Sequence, residues 1–121
     1  MNLWTWIAVV LLGGVGASAR FIVDWLVSLR LGFHFPYGIL VVNLSGAFFL
    51  GVLAGAAVDG DARLLAGTAT LGSYTTFSTW MLETREQAQR GERRAAAVNL
   101  FGSLGLGLAA AALGHALGAQ L

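Results

Sequence analysis

Gly72-Ser73-Tyr74-Thr75-Thr76-Phe77-Ser78-Thr79-Trp80 carries five Ser and Thr hydroxyls within seven residues, inside a stretch with no charged side chain. Hydroxyls this dense bond to nearby carbonyls and offer the backbone an alternative to helix. After a glycine, they predict a helix broken at membrane depth. Such breaks leave carbonyl oxygens that bind cations and helix ends that meet anions. Phe77 and Trp80 are three apart and share a helix face. An aromatic ring is negative on its face and positive at its edge, so an anion is attracted to ring edges without a permanent charge to trap it. Asn43 is the one strongly polar side chain between 37 and 58, in another apolar stretch, and it offers two N–H donors and one acceptor. Asn99 and Ser103 stand in a further apolar stretch, and Arg20 is the one cation that could lie below the membrane interface. For Asn43 the competing interpretation is an interhelical hydrogen bond, and for Arg20 it is snorkelling or pairing with Asp24.

Composition narrows the classes. The chain has 121 residues, net charge +1, 57% hydrophobic residues and 11% charged ones, against about 25% charged in soluble domains. There is no cysteine, which excludes disulfide scaffolds and thiolate metal sites, and no lysine, which excludes Schiff-base chemistry and P-loops. Arg93-Arg94 is the longest basic run, too little for nucleic-acid binding. No catalytic constellation emerges, and the chain is not expected to be an enzyme.

The thirteen charges lie at 20, 24, 30, 59, 61, 63, 83, 85, 86, 90 and 92–94, leaving charge-free stretches of 19, 28, 19 and 27 residues. About 20 apolar residues cross the ~30 Å of bilayer hydrocarbon. The expectation is a single all-α membrane domain over 1–121, with spans at about 3–27, 37–58, 62–82 and 96–118. Trp4 and Trp6 suit the interface at the start of the first span, and Pro36 precedes the second, where its missing N–H costs nothing. Ala17-Ser18-Ala19 has the look of a signal-peptide cleavage site, but no Lys or Arg precedes it, so the first helix is expected to be retained. Glu86 and Arg90 form an i, i+4 pair in the connector before the last span. Gly51 and Gly55, and Gly114 and Gly118, form two G-x-x-x-G pairs that predict close helix packing, and Ser103, Gly107 and Ala111 form a stripe of small residues.

Together these residues resemble the Fluc (CrcB) fluoride channels of microbes over nearly the whole chain. The matching pieces are Gly13-Gly14-Val15-Gly16-Ala17-Ser18-Ala19-Arg20-Phe21, Pro36-Tyr37-Gly38-Ile39-Leu40-Val41-Val42-Asn43-Leu44-Ser45-Gly46, and Gly72 to Trp80 with Glu83. The resemblance implies a passive channel that exports toxic fluoride across the inner or plasma membrane. It implies an antiparallel, dual-topology dimer of four-helix subunits with two narrow pores. Asn43, Phe77 and Trp80 would line the pores, with Thr79, Ser103 and Asn99 along a polar track and Arg20 near a vestibule. Backbone carbonyls of Gly72 and Thr75 would hold a structural sodium ion on the two-fold axis. Trp80 stands where the family has phenylalanine, Ser73 where it has a second glycine, and Asn99 where a tyrosine is expected.

One side of a four-span topology carries Arg30, Arg85, Arg90, Arg93 and Arg94, and the other carries Arg63. Such a bias favours one orientation, so the partner is either an identical copy that inserts against the bias or an oppositely oriented paralogue. Two other readings are a small proton-coupled multidrug exporter and a non-transporting subunit of a membrane complex. The exporter needs a carboxylate deep in a helix, whereas Asp24 and Glu83 lie near span ends beside arginines.

Overall fold

The computed structural model describes residues Met1–Leu121 and is helical throughout, without strands. Helix α1 is Leu3–Leu31 and α2 is Tyr37–Gly55. Helix α3 covers 60–74 and contains a π-helical stretch, Arg63–Leu71. Helix α4 is Phe77–Gln89, and α5 is Arg93–Gly118 with a second π-helical stretch, Val98–Gly102.

Local chemistry sets the ends. Asn2 caps α1, its side-chain oxygen accepting the Thr5 N–H at 2.9 Å. Gly32, at φ 92°, stops α1 in a conformation that favours glycine. In the first π stretch the Thr70 hydroxyl donates to the Leu65 carbonyl five residues back at 2.7 Å.

Three helices are long and apolar enough to cross a membrane: Leu3–Leu31, Tyr37–Gly55 and Arg93–Gly118. The 29 residues of α1 measure about 43 Å, longer than the hydrocarbon core, so α1 tilts or projects beyond it. The remaining expected span, 62–82, is interrupted as its hydroxyls predict. The chain is extended at Thr75 (ψ 158°) and Thr76 (φ −147°, ψ 123°) before α4 begins. Elsewhere the helices run a few residues past or short of the expected bounds. Pairing in the connector differs: Arg90 donates to Glu92 at 3.1 Å, and not to Glu86.

The two G-x-x-x-G pairs face each other. A Cβ at Gly51 or Gly55 would meet the carbonyls of Ala111 or His115, and one at Gly114 or Gly118 those of Phe48 or Val52. Helices α2 and α5 therefore meet backbone to backbone, which gives dispersion contacts where lipid removes the hydrophobic drive. Gly16 brings α1 equally close to Thr70 and Ser73 of α3. Only 15 of 121 residues are buried, and the apolar core is Ile39, Val42, Ala69 and Ala96. Most large apolar side chains face outward, as in a chain whose surroundings are lipid or another subunit.

Candidate functional site

The site is built on the break between α3 and α4. Asn43, on α2, pairs with the backbone of Thr76 at both ends of its amide. Its Nδ2 donates to the Thr76 carbonyl at 2.9 Å, and its Oδ1 accepts the Thr76 N–H at 2.9 Å. The Thr76 N–H is thereby withdrawn from the Gly72 carbonyl, its partner in a continuous helix. Thr76 also caps α4, its hydroxyl oxygen accepting the Thr79 N–H at 3.2 Å. The positive end of the α4 dipole, with its unpaired N–H groups, begins at Phe77.

A groove of about 380 Å³ runs beside this helix start. Its lining includes Asn43, Thr75, Thr76, Phe77, Trp80 and Ser103. The small-residue stripe Ser103, Gly107 and Ala111 forms one wall. Phe77 is 69% exposed, and its ring meets that of Trp80 edge-on, with centroids 5.7 Å apart and planes at 88°. One of the two Asn43 N–H donors is free of the Thr76 bond. The groove thus offers uncharged donors and aromatic edges and no acidic side chain.

Structure divides the expected site residues. Asn43, Phe77, Trp80, Ser103 and Thr75 come together on the groove. Thr79 and Asn99 stand behind it. Thr79 supplies its N–H to the cap and its hydroxyl oxygen to the Thr76 hydroxyl at 3.2 Å. Asn99 is 2% exposed; its Nδ2 donates to Thr84 Oγ1 at 2.8 Å, and its Oδ1 accepts from Ser103 Oγ at 3.3 Å. Its backbone carbonyl receives the Trp80 indole N–H at 3.0 Å. The N–H that tryptophan adds is spent on orienting its own ring. Thr84, whose hydroxyl also donates to the Trp80 carbonyl at 2.8 Å, completes this support and carries no signal in sequence.

Replacing Trp80 by Phe removes the indole bond and leaves the ring edge. The expected result is a loss of about 1 kcal/mol of stability, read by thermal unfolding in detergent.

Arg20 reaches the break, its Nη1 donating to the Thr75 carbonyl at 3.4 Å, so neither pairing with Asp24 nor snorkelling describes it. For sodium, the donors are suitable in kind. Gly72 O has lost its helical N–H partner, and Thr75 O meets only the long Arg20 contact. Carbonyl oxygens are hard ligands that suit alkali and alkaline-earth cations.

Comparison with known proteins fits this geometry. Residues 7–115 match the family described as "CrcB-like protein, Camphor Resistance (CrcB)". A Mycobacterium tuberculosis protein named "Fluoride-specific ion channel FluC 2" is 54% identical over 110 residues, covering 91% of this chain and 87% of its own. The Mycolicibacterium paratuberculosis protein of the same name is 54% identical over 116 residues, covering 96% and 94%. A Symbiobacterium thermophilum "Fluoride-specific ion channel FluC 1" is 42% identical over 120 residues, covering 94% and 97%. With nearly the whole chain matched, it belongs to the CrcB family.

Proposed function

We propose that the chain is a fluoride-specific ion channel, conducting passively and carrying fluoride out of the cell across the inner or plasma membrane. The supporting observation is the groove that joins Asn43, Phe77, Trp80 and Ser103 and lies open along one side. One subunit supplies half a pore wall. A second copy, or a paralogue, inserted the opposite way closes it, and the symmetry of such a pair makes two pores. The fourth crossing of each subunit is α3 and α4 together, joined at the break.

Fluoride is small and strongly hydrated, so its path must replace water with several weak donors in series. The free Asn43 N–H, the Ser103 hydroxyl, the N–H groups at the start of α4 and the edges of Phe77 and Trp80 form that series. None carries a full charge, which lets the ion leave as readily as it enters. Arg20 lies behind the break and raises the anion's local concentration through its field. A sodium ion on the two-fold axis, held by Gly72 and Thr75 carbonyls of both subunits, would supply positive charge that fastens the two breaks together.

Fluoride release from vesicles holding the purified chain, alone or mixed with an oppositely oriented paralogue, tests this reading, and release at the rate of empty vesicles in both cases overturns it. For the assembly, single cysteines in the 32–36 and 57–59 loops of a cysteine-free chain are labelled from outside cells. Each is expected to label to about half. Labelling of one loop only rules out an antiparallel homodimer and leaves the paralogue.

A further inference from the structure

Between α1 and α4 lies a second, chemically opposite cavity of about 250 Å³. Asp24 and Ser28 of α1, and Glu83, Glu86 and Gln87 of α4, line it. It begins one helical turn beyond Trp80. Gln87 is 1% exposed, yet both its Nε2 and its Oε1 lack any hydrogen-bond partner, as does the buried Oε2 of Glu83. A buried carboxamide with neither end paired is rare in folded proteins, and a bound group would satisfy it. Arg90 and His34 line the cavity too, but the Arg90 guanidinium is turned to Glu92 and neither side chain forms an ion pair with these carboxylates. The one hydrogen bond that Asp24 accepts is from the Ser28 hydroxyl at 3.4 Å, and its Oδ1 lies against Gly38 at the start of α2.

The chemistry of the occupant follows from the lining. The acceptors are carboxylates, a carboxamide oxygen and a hydroxyl, so the occupant is positive and bears N–H donors. No three acidic or histidine groups converge closely enough to hold a metal ion. The volume suits several heavy atoms, and the rings of Phe21 and Trp25 on the same wall suit a flat cation. We propose that this cavity binds a small organic cation of the guanidinium type, with Glu83 and Glu86 accepting its N–H groups and Gln87 completing its hydrogen bonds. Carboxylates beside an anion path repel the anion; a cation held among them removes that repulsion, so occupancy couples cation binding to anion flow.

Calorimetric titration of the purified full chain in detergent with guanidinium chloride at constant ionic strength tests this. Saturable binding is expected, with no binding of tetramethylammonium, which has charge but no N–H. Glu86 is exposed, so Glu86→Gln preserves the fold; it is expected to weaken binding about tenfold, and Gln87→Leu about fivefold. Identical isotherms for parent and both variants overturn the proposal, as does equal binding of tetramethylammonium. It is also overturned if the variants release monomers on size exclusion and leave guanidinium binding intact, because the groups then serve a subunit contact. No fluoride is present, so the outcome is independent of whether the chain conducts that ion.

Discussion

Replacing Asn43 by Asp is expected to reduce fluoride release from vesicles by about a thousandfold. Two effects act together. A carboxylate has no N–H to give, so its oxygen would face the Thr76 carbonyl where Nδ2 now donates at 2.9 Å. Truncating one side of such a buried pair costs about 1–3 kcal/mol. The new negative charge also stands on the groove that the anion must pass. Two unit charges 4 Å apart repel by about 4 kcal/mol at an effective dielectric of 20, which is nearly three decades in rate. An electrode in the external medium reads the release. Rates within a factor of about three of the parent would remove Asn43 from the ion's path.

Phe77→Ile is expected to lower release by about a hundredfold while the dimer survives on size exclusion. Isoleucine keeps the apolar bulk and deletes the positive ring edge. Each edge contact is worth up to about 1.5 kcal/mol. The Phe77 ring also sets the tilt of Trp80 through their 88° packing, so its loss weakens two edges at once. Together these approach 3 kcal/mol, or about two decades. Because Phe77 is 69% exposed, the change leaves no cavity in the subunit core. Unchanged release would mean that the ion never meets this ring.

Much of the architecture was readable from charge spacing, because a bilayer demands about 20 uncharged residues for each crossing. The break was readable as well, since five hydroxyls after a glycine compete with helical bonds. Its location at Thr75 and Thr76 was not, because it depends on Asn43 reaching across from α2, a contact between residues 33 positions apart. The same limit explains Asn99. Its type and place suggested a polar track, but what decides its role is Thr84 on another helix and the Trp80 indole. Neither π-helical stretch is legible in the sequence, because Arg63–Leu71 and Val98–Gly102 carry no pattern that separates them from ordinary helix. In the sequence Asp24 and Glu83 are separate charges near span ends. Only the fold, which sets the start of α4 beside the second half of α1, brings them to one cavity with the buried Gln87.

The central claim is that uncharged donors and ring edges select fluoride. The most direct measurement is the reversal potential of the purified chain in a planar bilayer, with a fluoride gradient opposed to an equal chloride gradient. The account predicts a current that reverses near the fluoride equilibrium potential and stays there when chloride is changed or a pH gradient is imposed. A reversal that follows chloride, or one that moves with the proton gradient, would contradict it.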